Sequence, residues 1–258
     1  MLWQREIHHH ADRGRVLHVA LPEGYGARAE PYPVLVCLDA QWTFGTVCDA
    51  ALNLGLARLL PRMIVVGVGW SAQTAREVVH ARALDYTPTV AELPAVAARN
   101  MAGAAAFGGA PDFQRWLLDD ALPGLQAVYR LDPAERTLIG HSLSGLFSLY
   151  TLLTRPDAFS RWLIASPSSW WDNRMVFELE QRSLAHGPAL RGRVFLSVGA
   201  LEESIGGIPM LANTEMFHAR LAARRSEQFD TTLTILPGEI HHSTVPAAVS
   251  HGLRWLYR

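Results

Sequence analysis

A chain of 258 residues, 49% hydrophobic and 18% charged, holds enough apolar material for one large α/β domain. A formal net charge of −1 excludes the basic surface of a nucleic-acid binder. No window reaches the roughly 18 uninterrupted apolar residues that a membrane span needs.

The first residues, Met1-Leu-Trp-Gln-Arg-Glu-Ile-His8-His9-His10, lack the apolar centre of a signal peptide, so a cytoplasmic location is expected. The histidine run itself reads as solvated. Arg15-Val-Leu-His-Val-Ala-Leu21 alternates as an early, partly exposed strand would, and Pro22-Glu-Gly-Tyr-Gly26 follows as a turn. Pro33-Val-Leu-Val-Cys-Leu-Asp39 is a continuous apolar run, the pattern of a central strand buried on both faces. Residues 46–60 carry helix-spaced apolar positions, and Met63-Ile-Val-Val-Gly-Val68 is a second buried strand. Cys37, in a strand pattern, and Cys48, in a helical one, read as reduced structural thiols. Further strands are predicted at 137–139, 162–165, 194–198 and 232–236, with helices near 112–129, 144–154, 209–225 and 244–257. This alternation predicts a mostly parallel central sheet with helices on both faces, in a single domain spanning 1–258. Residues 70–110 are long for a connection and read as a lid or substrate wall.

The stretch Thr137-Leu-Ile-Gly140-His-Ser142-Leu-Ser144-Gly145-Leu-Phe-Ser-Leu-Tyr150 runs from strand through a Gly-x-Ser-x-small-Gly turn into a helix. That is a nucleophile elbow, and it predicts an α/β-hydrolase fold. Such a turn strains Ser142 and lifts its hydroxyl above the sheet. Small residues are required two places either side, and Gly140 and Ser144 qualify. Serine stands where the second glycine is usual, so a slightly roomier turn is expected.

A serine hydroxyl needs a base to take its proton, and the base needs an orienting carboxylate. In this fold they follow in the order serine, acid, histidine, on loops after later strands. The strand at 194–198 leads into Gly199-Ala-Leu-Glu202-Glu203, where Glu202 is favoured over Glu203. The strand at 232–236 leads into Pro237-Gly-Glu239-Ile-His241-His242, where the two adjacent histidines compete because both cannot face Ser142. His141 should diverge from Ser142, and His18, His80, His186, His218 and His251 fit exposed or amphipathic positions. No His-x-x-x-His or Cys-x-x-Cys spacing supports a metal, and no cofactor is expected. The oxyanion hole is assigned to the backbone N–H groups of Leu143 and Gln41.

Several motifs together resemble one known group. They are Tyr32-Pro-Val-Leu-Val-Cys-Leu-Asp39 with Gln41, Val65-Val-Gly-Val-Gly69, Arg82-Ala-Leu-Asp-Tyr-Thr-Pro88 and Gly108-Gly-Ala-Pro-Asp-Phe113. The elbow, Ser166-Pro-Ser-Ser-Trp-Trp-Asp172, and Gly238-Glu-Ile-His241 before Val245-Pro246 complete the set. The chain resembles the putative-esterase (esterase D-like) family of α/β-hydrolases, and within it the branch of trilactone siderophore esterases. The resemblance implies His241, after Gly-Glu-x, as the base and Glu202, in Gly-x-x-Glu, as the acid. It places His242 where a small residue is frequent. The chain departs from the family at Asp39-Ala40, where Asp-Gly is common.

Trp42, Trp70, Trp170 and Trp171 fall on predicted strand-to-helix loops, the rim where ligands bind in such sheets. An aromatic rim suits bulky, flat or apolar acyl groups; alternatively Trp170 and Trp171 plug the core beneath the elbow. Arg82 and Arg174 either receive an anionic group or sit in exposed ion pairs. The expected activity is serine carboxylic-ester hydrolysis through an acyl-serine, on a small-molecule ester or a siderophore-like macrolactone. Acyl transfer to another alcohol, or non-catalytic binding on a hydrolase scaffold, are the alternatives.

Overall fold

The computed structural model describes residues 3–9, 14–27, 29–72, 74–101, 104, 106–204 and 207–258. Eight strands form one sheet: β1 (Trp3–His9), β2 (Arg15–Pro22), β3 (Tyr32–Leu38), β4 (Ile64–Trp70), β5 (Leu131–His141), β6 (Arg161–Ala165), β7 (Gly192–Gly199) and β8 (Phe229–Leu236). Their order is β1-β2-β4-β3-β5-β6-β7-β8. β2 runs antiparallel to both β1 and β4, and every pairing from β4 to β8 is parallel. This is the α/β-hydrolase fold.

Alternating side chains on the central strands feed two cores, as a period of two requires. Val34, Val36 and Leu38 of β3 join the larger one, while Leu35 and Cys37 join the other. The smaller core is closed by α1 (Ala40–Leu56) and α9 (Thr244–Leu256). The larger is closed by α2 (Ala75–Tyr86), α4 (Ala110–Arg115), α6 (Leu143–Thr154), α7 (Trp171–His186) and α8 (Met210–Ala222). Two further short helices, α3 (Ala95–Asn100) and α5 (Leu122–Val128), complete the set, and a π-helical turn at Trp116–Ala121 joins α4 to α5.

Two local expectations change. β2 is buried along nearly its whole length, not half exposed, because β1 covers its outer edge and both faces meet core. α1 begins at Ala40, six residues before its apolar periodicity becomes clear, because left-handed Asp39 (φ 58°, ψ 46°) turns β3 directly into the helix. Among the described residues of segment 70–110 stand the helices α2 and α3. α2 is capped by Thr74, whose hydroxyl accepts the Glu77 N–H while the Glu77 carboxylate accepts the Thr74 N–H. This Thr-x-x-Glu capping box was readable in the sequence. Behind it Tyr86 packs its ring on Trp70, Phe113 and Phe147.

Candidate active site

The site lies where the parallel strands end. β5 gives way to α6 through Ser142, which is held at φ 62°, ψ −119°. Such a conformation costs a non-glycine residue about 1–3 kcal/mol and persists only when its surroundings enforce it. Here the enforcement is visible. A Cβ on Gly140 would come within 2.4 Å of both the Ser144 carbonyl oxygen and Ser148 Oγ, so only glycine lets the turn close. Ser144 is fully buried, and its hydroxyl is part of the turn rather than a tolerated excess. It accepts the His141 N–H at 2.8 Å, and its one proton faces Asp39 Oδ2 and the His141 carbonyl, each at 2.8 Å.

Ser142 Oγ lies 2.9 Å from His241 Nε2, and His241 Nδ1 lies 2.7 Å from Glu202 Oε2. Glu202 is 1% exposed, and its Oε1 accepts the Ser166 hydroxyl at 2.5 Å and the Gly199 N–H at 2.7 Å. Burial pushes the Glu202 pKa up, but the bonds from His241, Ser166 and Gly199 outweigh it and leave the carboxyl below its ordinary value. Gly199 is required for this approach, since a Cβ there would sit 2.4 Å from the Glu239 carbonyl oxygen. Glu203, the competing acid, is exposed and instead accepts the Ala212 N–H in the first turn of α8. His242 stands edge-on to His241 with ring centroids 5.4 Å apart and does not reach Ser142.

Two neighbours were not singled out by the sequence. His141 does diverge from Ser142, but it lies against His241 with centroids 4.6 Å apart and its Nε2 is 2.9 Å from the His241 carbonyl oxygen. Burial, His241 and Arg82 hold its pKa well below that of an ordinary histidine. The neutral ring therefore donates Nε2–H to that carbonyl and fixes the loop carrying His241. Ser168 donates its N–H to the Ser142 carbonyl at 3.0 Å and places its hydroxyl 3.4 Å from Ser142 Oγ. No spacing rule marks either residue, because both meet the site through tertiary contact.

Leu143 and Gln41 occupy the first turns of α6 and α1, where backbone N–H groups have no intrahelical acceptor. The Gln41 side chain points away, donating Nε2–H to the Trp70 carbonyl at 2.7 Å. Asp39, at the start of the same turn, is clamped on three sides. Arg82 donates two hydrogen bonds of 2.9 Å to its carboxylate, Ser144 reaches Oδ2, and the Asp39 N–H donates to the Tyr86 hydroxyl at 3.1 Å.

The four-tryptophan rim reduces to two. Trp42 is 50% exposed and lies 5.5 Å from the Arg82 guanidinium, and Trp170 is partly exposed. Trp70 is instead core: it continues the face of Ile64, Val66 and Val68, and its Nε1–H donates to Asp85 Oδ2 at 3.0 Å. Trp171 is fully buried, donates to the Thr89 carbonyl at 3.2 Å and packs on Phe107, tying the β6–α7 connection to segment 70–110. Arg82 sits in a largely buried ion pair with Asp39 and not in an exposed one. Arg174 is exposed and, among the described residues, pairs with no carboxylate. Among the described residues no group of three His, Cys, Asp or Glu could hold a metal ion, and no helix is long and apolar enough to cross a membrane. Cys37 and Cys48 are buried free thiols.

An α/β-hydrolase sheet carrying a strained serine hydrogen-bonded through histidine to a buried carboxylate defines a hydrolase. The chain is a carboxylic-ester hydrolase: residues 9–244 match the family described as "Esterase: Putative esterase", and it belongs to that family. It is 31% identical over 230 residues to the ferri-bacillibactin esterase BesA of Bacillus subtilis, spanning 87% of this chain and 78% of the relative. The crystal structure of the BES protein from Bacillus cereus superposes with a TM-score of 0.82 at 27% identity, over 100% of this chain and 95% of that one. The siderophore hydrolase EstA of Aspergillus nidulans shares the fold at a TM-score of 0.84 and 22% identity, over 99% and 94% of the two chains.

Proposed function

We propose that this protein hydrolyses siderophore-type esters through an acyl-serine intermediate. The observation that carries the reading is the unbroken hydrogen-bonded line from Ser142 Oγ through His241 to Glu202. Neutral His241 takes the Ser142 proton on Nε2 as the oxygen attacks the ester carbonyl. Glu202 stays ionised and holds the resulting imidazolium. The N–H groups of Leu143 and Gln41 receive the developing oxyanion; one such donor is typically worth about 3–4 kcal/mol. His241 then protonates the leaving alcohol, and water repeats the cycle on the acyl-serine.

The substrate class rests on relatives named as siderophore esterases and hydrolases. Trp42 and Trp170, on either side of Ser142 in the chain, would meet the substrate, while the described part of segment 70–110 would form one wall. The test is intact-mass analysis after a fluorophosphonate, wild type beside Ser142→Ala, with p-nitrophenyl butyrate hydrolysis in parallel. A single adduct on wild type alone, with turnover lost in the variant, is expected. An adduct on both proteins, or equal turnover, would remove the mechanism. Enterobactin-type trilactones then serve as the substrate assay, and turnover no faster than for p-nitrophenyl butyrate would remove the substrate class.

A further inference from the structure

The three residues after β6 touch both ends of the hydrogen-bonded line. Ser166, left-handed at φ 42°, donates its hydroxyl to Glu202 Oε1 at 2.5 Å. Ser168 reaches the other end, with its Oγ 3.4 Å from Ser142 Oγ. Pro167 between them packs so closely on α6 that a Cβ on Gly145 would lie 3.0 Å from the proline Cα. The backbone of Ser168 is bonded on both sides: its N–H donates to the Ser142 carbonyl at 3.0 Å, and its carbonyl accepts the Trp171 N–H at 3.1 Å. Its place in the fold is therefore secured without its hydroxyl.

That hydroxyl has a different address. Ser168 is 2% exposed, and the described hydrogen-bond contact of its Oγ is the nucleophile. Buried hydroxyls normally have partners. Which oxygen donates follows from the neighbours. His241 Nδ1–H faces ionised Glu202, so Nε2 is the acceptor and takes the Ser142 proton. Ser142 has no second proton to give, which leaves Ser168 O–H as the donor and Ser142 Oγ as the acceptor. At 3.4 Å the contact is slack, because an O–H···O bond ordinarily spans roughly 2.5–3.0 Å. Charge on the acceptor shortens such a bond and about doubles its strength. The contact is thus loose while Ser142 is neutral and tightens when its oxygen becomes charged.

We propose that Ser168 is a catalytic residue, whose hydroxyl donates to Ser142 Oγ while that oxygen carries charge. The inference deepens the acyl-serine reading and rests on it. In the first half-reaction the Ser142 proton passes to His241 Nε2 as the bond from Oγ to the ester carbon forms. In the second, His241 returns a proton to Oγ as that bond breaks and the carboxylic acid is released. Oγ gains negative charge in both transition states, and between them it is a weakly accepting ester oxygen. Ser168 keeps its own proton throughout. A bond that is stronger in the transition state than in the ground state raises kcat, so the hydroxyl acts on rate and leaves substrate affinity alone.

The experiment compares Ser168→Ala with wild type in p-nitrophenyl butyrate kinetics, fluorophosphonate labelling rate and Tm. Alanine removes the hydroxyl and leaves both backbone bonds of residue 168 in place. Ser168→Ala should lose about 10- to 100-fold in kcat, the worth of a hydrogen bond to a charged group, with KM unchanged. Labelling should slow by a similar factor, because attack on phosphorus charges the same oxygen. In a Ser142→Ala background the substitution should have no further effect, since it acts through Ser142 Oγ. A hydroxyl serving only the fold would instead lower Tm and leave kcat and labelling unchanged. The proposal is overturned if Ser168→Ala stays within about threefold of wild type in kcat, or if a rise in KM carries the whole loss. Ser168→Cys, similar in size but a weak donor, should be slow in the same way and keeps the test decisive if Ser168→Ala does not fold. Failure of the acyl-serine reading looks different: wild type then takes no adduct, or Ser142→Ala keeps its turnover. Failure of this inference alone leaves Ser142→Ala dead and Ser168→Ala active.

Discussion

Replacing Glu202 with glutamine tests the hydrogen-bonded line at its buried end. Oε1 of Glu202 faces two donors, the Ser166 hydroxyl and the Gly199 N–H, whereas Oε2 faces His241 Nδ1. A glutamine keeps both donors satisfied only with its carbonyl oxygen in the Oε1 position. Its NH2 group is then forced toward His241. Nδ1 must accept, the ring proton moves to Nε2, and the nitrogen facing Ser142 can no longer take a proton. Amide replacement of the acid in a comparable triad lowers kcat by about 10⁴-fold through this wrong tautomer. We expect Glu202→Gln to lose about 10³–10⁴ in kcat/KM, which is about 4–5.5 kcal/mol of transition-state stabilisation. The readout is p-nitrophenyl butyrate kinetics together with the rate of fluorophosphonate labelling, with circular dichroism to show a retained fold. A folded variant within tenfold of wild type on both measures would refute the reasoning and reassign Glu202 to a structural role.

The remaining predictions concern the frame. Ser144→Ala removes a bond to the buried Asp39 carboxylate and the acceptor of the His141 N–H. Bonds to charged groups are worth about 1.5–3 kcal/mol, so a loss of about 2–3 kcal/mol and a Tm lower by about 4–12 °C are expected; a shift under 2 °C would show that the bond is not felt. Because the His141 pKa is depressed on folding, the stability linked to it is complete above the unfolded value of about 6.5 and declines as pH falls below it. Tm measured from pH 7 to pH 5 should fall less steeply in His141→Gln, and parallel curves would contradict this. Burial raises the pKa of both thiols, Cys48 to about 12 and Cys37 beyond it, so native protein at pH 8 should resist iodoacetamide and denatured protein should take two groups. Rapid native labelling would mean that α1 does not lie closed over the sheet.

The sequence by itself determined what local pattern can encode. Apolar runs at 33–39 and 63–68 mark the central strands, because residues buried on both faces cannot alternate. The elbow is legible because its geometry imposes small residues at fixed offsets, and Gly140 is required by contacts only a few residues away. The order of Ser142, Glu202 and His241 follows from which strands precede them. The tertiary structure decided what depends on who arrives from elsewhere in the chain. The sequence favours Glu202 over Glu203 without showing what separates them; Ser166, Gly199 and His241 converge on the first, while the second accepts an N–H in the first turn of α8. Trp42 and Trp70 look alike as loop aromatics, yet the strand period sends Trp70 into the core. Ser144 reads as a departure from glycine until Asp39, 105 positions away, supplies its partner. The left-handed residues Asp172, Asn173 and Arg174 at the head of α7 have no glycine to announce them. Buried polar pairing is settled by long-range contacts, and those contacts exist only once the sheet has brought its strand ends together.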